Sequence, residues 1–569
     1  MSDATPARPT RDDDRKGWKA YWAAQAMPWR TEPEIDAERQ QYLAERRAVT
    51  QDIERGIYPF RDENGSIKLT RADMEWLLAK HESCGTVGPV DWSEESGRQR
   101  EGLDIRGADL RSSKSQVTDL KMLPLARLRG GLTGNEWLQA SPEQREMVAV
   151  HLEGVDLRLA HLEDACLCGA HLEEATLHRA WLEQADFYHV YADGCSLAET
   201  FAPSITLTEA SLRGAILNRA HLVDARLSAA NMEKAELYEV HLEGASLVRS
   251  YMCGAFLLGA HLERARLVEA RLEGAILQEA QLSGASLVKA HLEGTDLSYA
   301  HLEGTQLSAD TLENLRTWID GFPRELMAAN LTEAFFDSAT NLEGVMLGSK
   351  IYGAVRVLDV RWGGVNLAVT EWSQPNPKLL RWHISQIEAI ELGEEREARI
   401  ARDTSGKAKD NAQRRTEYEN AVRANRQLAT ALRNQGLNED ADRFAYKAQK
   451  LQREVLHRQP RWGAYLGSCF LCLVAGYGYK PLRAFATYAS VIVFFTILYL
   501  INSHFVAPHL LWNEALVLSV SSFHGRGFFN PNIQLGDTYA QLAAAEAIIG
   551  LFIEISFIAT FTQRFFNSR

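Results

Sequence analysis

The chain has 569 residues, a formal net charge of −13 and seven cysteines. This length exceeds what one compact hydrophobic core accommodates, so several structural units are expected. The odd cysteine count, together with a start rich in Asp and Arg over residues 1–15, argues against a secreted disulfide scaffold and indicates a reducing cytosol.

The first 149 residues are expected to precede a long regular segment. Residues 1–99 are predicted to be mostly helical and to be anchored by four tryptophans, Trp18, Trp22, Trp29 and Trp76. Residues 100–149 are predicted to hold the first copies of a repeat and short helices. Ser141 to Gln144 offers an N-cap, a Pro at the first helical position and a Gln at the third, which is a helix start.

Residues 150–309 repeat every five residues without interruption. In blocks that begin at multiples of five, the first position is Ala in 22 of 32 blocks and the third is Leu in 27 of 32. A period of five fits neither an α-helix nor a β-strand, so we expect a chain that turns a corner every five residues. Four faces close a coil of 20 residues, and eight such coils would form a rod about 38 Å long.

Blocks such as Ala160-His161-Leu162-Glu163-Asp164 and Ala245-Ser246-Leu247-Val248-Arg249 resemble the pentapeptide-repeat family. The resemblance implies a right-handed quadrilateral β-helix. The same pattern recurs at 103–112 before the rod. After it, Leu342, Leu347 and Leu367 keep the phase, so 310–375 is predicted to be an irregular continuation of the solenoid.

The rod carries most of the negative charge, with 23 acidic against 11 basic residues in 150–309. An acidic rod is a poor candidate for binding nucleic acid. Some proteins of the resembled family imitate DNA towards gyrase, and that alternative stays open beside a charged face that keeps the rod soluble.

Histidines recur at coil spacing on two faces of the predicted rod. One face carries His161, His221, His241, His261 and His301, and the opposite face carries His151, His171 and His291. Rings one coil apart would stack at about 5 Å. Duplication of a His-Leu-Glu unit explains the pattern, and no metal site is assigned; sensing of pH or metal by the ladder remains an alternative hypothesis.

Beyond the rod the composition becomes Ala-, Arg-, Glu- and Gln-rich. Residues 386–456 are predicted to form a helical hairpin, Arg415–Asn434 against Asn438–Leu456, and 457–483 an interfacial linker.

The last hundred residues are predicted to lie in a membrane. Residues 484–501 have no charge, and 542–561 have two acids, so both are long enough to span a bilayer. Basic residues lie before the first span and after the second, whereas the segment between the spans, 502–541, contains one basic residue, Arg526. The positive-inside rule places both termini, the solenoid and the 562–569 tail in the cytoplasm, in a multi-pass protein of the cell inner membrane.

The segment 502–541 is predicted to be a re-entrant pore loop. Asn513 can cap a helix over Glu514–Phe523 that is too short to span the membrane, and a glycine-bearing turn follows it. The order of span, short helix, glycine turn and span resembles the two-transmembrane pore-loop, potassium-channel-like family. The matching residues are Ala515-Leu516, Ser519-Val520, Ser521-Ser522, Gly525-Arg526-Gly527, Pro531 and 546–552.

The resemblance implies that a selectivity filter lies at Phe523, His524, Gly525, Arg526, Gly527 and Phe528. The family's Thr-Val-Gly-Tyr-Gly motif keeps both glycines, which permit positive φ. Because Phe523 replaces the threonine and Arg526 the tyrosine, potassium selectivity is not carried over. A weakly cation-selective pore and an anion-passing Arg ring both remain open.

Acidic residues near the filter are further candidates. Glu514, Asp537 or Glu546 would pair with Arg526 if that side chain lies behind the filter. Glu546 and Glu554 are eight residues apart, so they lie broadly on one side of the second span. Lining of the pore or pairing with Arg526 is expected for them, and a helix–helix hydrogen bond is the alternative.

No Ser/His/Asp set, phosphate loop or zinc quartet has usable spacing, so neither an enzyme nor a cofactor is predicted. The expected function is a homotetrameric bacterial ion channel with a cytoplasmic regulatory or scaffolding solenoid. Its expected partners are permeating ions, membrane lipid and a cytoplasmic protein on the solenoid, and no nucleic acid is expected. The rival interpretation is a membrane-anchored scaffold that does not conduct. The ion, the gating stimulus and the pathway are not readable from the sequence.

Overall fold

The computed structural model describes residues 7–52, 55–113, 116–292, 295–307, 330–338, 340, 342, 348–349, 353–370, 372–375, 387–402, 407–459, 461–479, 481–507, 509–525 and 537–565. The chain divides into two compact units, Met1–Glu371 and Trp372–Arg569.

The first unit contains five α-helices and seven short strands among its described residues. The helices are α1 (Arg15–Ala23), α2 (Ala37–Arg47), α3 (Arg71–Ala79), α4 (Gly134–Gln139) and α5 (Pro142–Val148). The strands are β1 (Arg61–Asp62), β2 (Gly65–Lys68), β3 (Glu82–Ser83), β4 (Thr86–Val87), β5 (Ala108–Asp109), β6 (Gly348–Ser349) and β7 (Gly353–Ala354). Short 3₁₀ helices cover Gly97–Gln99 and Leu367–Val369.

The N-terminal region closes the first coils of the rod. Strands β1 and β2 form a hairpin, and β2 pairs in parallel with β5, aligning Ile67 with Ala108. Three of the predicted anchors, Trp18, Trp22 and Trp76, are at most 5% exposed, whereas Trp29 is half-buried. The paired hairpin covers backbone groups that an open coil would leave exposed. The region is therefore less helical than the sequence predicted.

The predicted helix start at Ser141 is confirmed. The Ser141 hydroxyl accepts from the Gln144 N–H, the Gln144 side chain accepts from the Ser141 N–H, and Pro142 is the first residue of α5. Together they satisfy two of the N–H groups that a helix start leaves free.

The rod has the predicted four-sided coil. Parallel bridges join equivalent positions of successive coils along its length, as in His221↔His241 and Arg226↔Ser246. The Leu242 N–H donates to the His261 carbonyl at 2.7 Å, and the Ala245 N–H closes the corner on the Leu242 carbonyl at 3.0 Å. The Ala and Leu positions point inward and are nearly all fully buried. Each coil therefore packs on the next through one layer of leucine.

Every corner of the rod among its described residues is a turn with one residue in the left-handed region. That residue is sometimes glycine, such as Gly254 at φ +65°, and is often not, such as Lys234 at +56° and Arg249 at +58°. A positive φ at the third turn residue defines a type II turn, which favours glycine there. The rod therefore tolerates backbone strain at many corners, because stacked neighbours hold each corner in place.

The solenoid continues beyond residue 307, with a change of phase that the sequence did not reveal. Leu297 donates its N–H to the Asn330 carbonyl, so Leu331 takes the inward position, one residue out of phase. The original phase returns at Val357 and Trp362. Of the predicted continuation residues, Leu342 and Leu367 are buried, and Leu347 lies outside the described residues.

The second unit contains seven helices and one hairpin of strands among its described residues. The strands are β8 (Ser373–Pro375) and β9 (Ile387–Ala389). The helices are α6 (Gly393–Arg399), α7 (Asn411–Asn434), α8 (Asn438–His457), α9 (Trp462–Ala475), α10 (Pro481–Ser503), α11 (Trp512–Phe523) and α12 (Thr538–Phe565), and a 3₁₀ turn covers Gly476–Gly478.

Helices α7 and α8 form the predicted hairpin and break at the predicted turn. Their facing positions are buried, including Leu428, Leu432 and Phe444. The segment 457–483, predicted as an interfacial linker, is instead helical over α9. Its run of apolar residues without proline allows 14 residues of helix, ending at Gly476 in the left-handed conformation.

Candidate functional site

Helices α10, α11 and α12 form the described part of a three-helix module at the C-terminal end. Arg483–Ser503 in α10 and Thr538–Ser556 in α12 are long and apolar enough to cross a membrane. Helix α11 has 12 residues, about 18 Å, which is shorter than a bilayer core of about 30 Å. All three helices pack against one another.

Helix α11 begins two residues earlier than predicted. It starts at Trp512, so Asn513 is inside the first turn and does not cap it. The Glu514 carboxylate accepts from the Leu511 N–H at 2.8 Å and takes that role. A carboxylate in the first turn also suits the positive end of the helix dipole. This contact occupies Glu514, which the sequence offered as a partner for Arg526.

The C-terminal end of α11 lies directly on α12. Phe523, its last residue, is 1% exposed. A Cβ atom added at Gly550 would overlap the Phe523 carbonyl oxygen, so only glycine permits this approach. The short helix is therefore held in contact with the second long helix at backbone level.

Glu546 lies inside the module. It is 0% exposed, and the Tyr499 hydroxyl donates to its Oε2 atom at 2.9 Å. The Ser519 hydroxyl donates to its other oxygen, so one carboxylate joins all three helices. The structure therefore places Glu546 in the helix–helix hydrogen bonds that the sequence left as the alternative. Its described partners do not include Arg526, which lies outside the described residues.

His524 is the second point at which the three helices meet. Its Nδ1 atom is 2.8 Å from the Val520 carbonyl oxygen, and its Nε2 atom is 3.1 Å from the Tyr488 hydroxyl. Glu554 Oε1 is 3.4 Å from the same Nε2 atom. Glu546 and Glu554 thus both face the α11 segment, as their spacing predicted.

Half of the predicted filter lies in the described chain. Phe523 ends α11, His524 follows it, and Gly525 has φ +66°, a left-handed angle that is common for a glycine just after a helix end. Arg526, Gly527 and Phe528 lie outside the described residues.

The module exposes many large apolar side chains and buries several polar ones among its apolar core residues. Its exposed large apolar residues include Val493, Phe494, Ile497, Ile501, Ile548, Leu551, Phe552, Ile555 and Ile558. Its buried polar residues include Ser503, Ser519, Ser522 and Glu546. This is the reverse of a protein surface in water and suits an apolar surrounding.

Sequence reasoning missed Tyr488 and Tyr499, whose hydroxyl groups contact His524 and Glu546. The available signal was their spacing in the sequence, about three helical turns, which puts both hydroxyls on one face of α10. An apolar span that carries two tyrosines on one face indicates polar partners on the neighbouring helices.

Comparison with known proteins concerns the rod. A family model described as pentapeptide repeats matches eight copies, in residues 151–188, 207–244, 245–278 and 275–309. No curated protein matches the chain.

Solved structures also match. HetL, a pentapeptide repeat protein involved in heterocyst differentiation regulation from Nostoc sp. strain PCC 7120, is 28% identical over 39% of this chain and 88% of its own, with a TM-score of 0.25. QnrB1, a plasmid-mediated fluoroquinolone resistance protein, is 15% identical over 39% of this chain and 86% of its own, with a TM-score of 0.16. A pentapeptide repeat protein from the Arabidopsis thaliana thylakoid lumen is 19% identical over 29% of this chain and 81% of its own, with a TM-score of 0.13.

The matched residues of the family model coincide with the bridged coils of the rod, and they end before the helical second unit. Residues 151–188 and 207–309 therefore carry pentapeptide repeats, and two helices of the chain are long and apolar enough to cross a membrane.

Proposed function

We propose that the protein is an ion channel. In this proposal, several copies, four by the resemblance to pore-loop channels, surround an axis in the inner membrane. Each copy contributes α10 and α12 as spans and α11 as the pore helix, and the pentapeptide-repeat rod is a regulatory or scaffolding part in the cytoplasm. One subunit supplies only part of a pore, so the function requires closed symmetry.

The observation that carries this proposal is the position of α11. A 12-residue helix that cannot span a bilayer packs against both long helices: the Ser519 hydroxyl donates to the Ile492 carbonyl of α10, and Phe523 lies against Gly550 of α12. A passive anchor needs no such helix, since two apolar spans would suffice. A pore loop needs one, because a filter must be supported at membrane depth by protein.

Polarity inside the module supports the same proposal. A buried carboxylate in an apolar span is costly unless it has hydrogen-bond donors, and Glu546 has Tyr499 and Ser519. These hydrogen bonds hold the three helices together, and the proposed filter residues His524 and Gly525 directly follow α11. The ion that passes depends on Arg526, so weak cation selectivity and anion passage are separate outcomes of measurement.

Ion flux through the purified full-length protein in liposomes tests the proposal. We expect flux that scales with protein content and a stable oligomer in detergent. The expected effect of Arg526→Tyr is a shifted reversal potential under an ion gradient, because four Arg side chains would no longer contribute positive charge near the pathway.

Gly467→Ala is the matched control for insertion and folding, because a Cβ atom at Gly467 meets nothing within 4 Å. Protein that is inserted and folded but monomeric, with no flux for cations or anions, would contradict the proposal. That result would favour the membrane-anchored scaffold.

A further inference from the structure

Two imidazoles of adjacent coils stack at the N-terminal end of the rod. His151 and His171 are partners in a parallel bridge, with ring centroids 4.9 Å apart and planes 12° from parallel. Tyr191 continues the stack at 4.8 Å. The two histidine side chains are only 14% and 16% exposed. They are more deeply buried than His241 and His261, another stacked pair of the rod, whose side chains are 32% and 36% exposed.

Three carboxylates surround these two rings. His151 Nδ1 is 3.1 Å from Glu153 Oε1, and His171 Nδ1 is 3.2 Å from Glu173 Oε1. Helix α5 supplies the third, since Glu146 Oε1 is 3.6 Å from His171 Nε2. Two imidazoles and three carboxylates from separate parts of the fold therefore meet at one place.

Several of their ligand atoms are buried without a hydrogen bond. Among the described residues, Oε2 of Glu153, Oε2 of Glu173 and Nε2 of His171 have no hydrogen-bond partner. A buried acceptor without a partner loses the free energy of its hydration, and such atoms call for a proton donor or a cation. Here the atoms without partners belong to the residue types that bind transition metals.

We propose that His151, Glu153 and His171 bind a divalent transition-metal cation, with Zn²⁺ as the favoured ion. Their ligand atoms lie within 4.8 Å of one another. Zinc bonds to imidazole and carboxylate of about 2.1 Å place neighbouring ligand atoms about 3.0–3.4 Å apart. The 3.1 Å between His151 Nδ1 and Glu153 Oε1 already meets this requirement.

The second imidazole completes the set by a small movement. The rings are stacked, so the His171 side chain must rotate about its side-chain bonds to direct a nitrogen at the same ion. Glu146 is 63% exposed and free to turn, and it supplies a fourth ligand from α5. The ion would then fasten α5 to two coils of the rod.

The rod itself contains two comparison sites. His241, Glu243 and His261 have the same composition within 4.8 Å, but their second pair is looser, with His261 Nδ1 3.7 Å from Glu263 Oε1. Among the residues that the structure describes, no carboxylate from another element pairs with them. They are therefore expected to bind more weakly.

The second comparison site has one imidazole. His301 lies 3.1 Å from Glu303, and its ring stacks on Phe335 at 4.5 Å. This site has a His–Glu pair and a stacked ring but no second imidazole nitrogen, so it should not compete for the ion.

Zn²⁺ titration of tag-free full-length protein in detergent, against a chromogenic chelator, tests the proposal. We expect one tightest site, whose affinity falls at least about 100-fold in His171→Gln and in His151→Gln, because each removes a ligand. His301→Gln should leave that affinity unchanged. Co²⁺ in place of Zn²⁺ should give the strong visible absorption of a tetrahedral complex, and His171→Gln should abolish it.

Thermal unfolding of each variant without metal shows whether the protein is folded, so that lost binding is not confused with unfolding. An unchanged tightest site in folded His171→Gln would overturn the proposal. Loss of that site in His241→Gln with retention in His171→Gln would also overturn it, since the ion would then bind the other stack.

Discussion

The rod and the three-helix module differ in the side chains that they bury and in those that they expose. In the rod, leucine and alanine point inward and charged side chains cover the corners. In the module, many valine, isoleucine and phenylalanine side chains point outward, while Glu546 and Ser519 are buried beside apolar residues such as Ile492 and Phe523. The two regions therefore differ in their exposed side chains: charged side chains suit water, whereas exposed apolar side chains suit an apolar surrounding.

The two regions also differ in how they depend on neighbours. Each coil of the rod obtains its partners from the coils directly before and after it, so one chain is enough. The described outer face of the module is largely apolar, so it suits contact with an apolar surrounding rather than with water.

The largest expected effect is in the rod. Leu247→Ala should lower the free energy of unfolding by about 2–5 kcal/mol, because it leaves a cavity in a layer of 0% exposed leucines. Chemical denaturation followed by circular dichroism measures it. Arg249→Ala, which removes an exposed ion pair with Glu269, is the control and should have a much smaller effect, because solvent screens such a pair. Equal effects would mean that the leucine layer does not stabilise the rod.

The next effect tests close packing in the module. Gly550→Ala should destabilise it by about 1–3 kcal/mol, since the new methyl group meets the Phe523 backbone. Gly467→Ala, in the open environment of α9, should be neutral or slightly stabilising. Thermal unfolding in detergent compares the two. A harmless Gly550→Ala would show that α11 does not lie against α12 as described.

The pairing of successive coils was predictable from the sequence, because the five-residue pattern that specifies it recurs in every block. The polar interior of the module was not, because a single Glu in an apolar span does not reveal whether it faces a pore or a neighbouring helix. Tyr499 and Ser519, its donors, are 47 and 27 residues away in the chain and become partners only after the helices pack.

The phase change at Leu331 was also beyond the sequence pattern. A one-residue slip places each following side chain one position away from where the five-residue pattern predicts it. The slip becomes visible in the hydrogen bond from the Leu297 N–H to the Asn330 carbonyl. The strands of the N-terminal region were missed for a related reason. Such very short segments leave no room for a period to appear, and their pairing with β5 is a tertiary contact.

A smaller effect is expected at the corners of the rod. Gly254→Ala should cost about 1 kcal/mol, because alanine must adopt φ near +65° while meeting no closer contact than 3.8 Å. Lys234→Gly, one coil earlier at the same corner, should be neutral or slightly stabilising. Denaturation midpoints of the pair decide it. If both variants had the same midpoint as the parent, the corners would not store strain.

The smallest effect depends on pH. The Glu163 carboxylate raises the pKa of His161 above its ordinary value. The raised pKa means that the pair stabilises the folded chain fully below the ordinary histidine pKa and less as pH rises through the raised value. His161→Gln should therefore cost stability, less than about 1 kcal/mol, near pH 5.5 and almost none near pH 8.5. Thermal unfolding at both pH values checks it; a cost that grows with pH would contradict this assignment.

The four-cornered coil has a consequence for insertions and deletions. Removal of one whole coil would shorten the rod by one rise, about 4.8 Å, and leave every column of side chains in line. Removal of a single pentad would instead turn everything downstream by a quarter of a revolution about the rod axis. His241 would then no longer follow His221, and faces that now carry one set of side chains would present another. The rod can therefore change its length in steps of one coil without loss of alignment, whereas loss of a single pentad turns the whole downstream surface to face another direction.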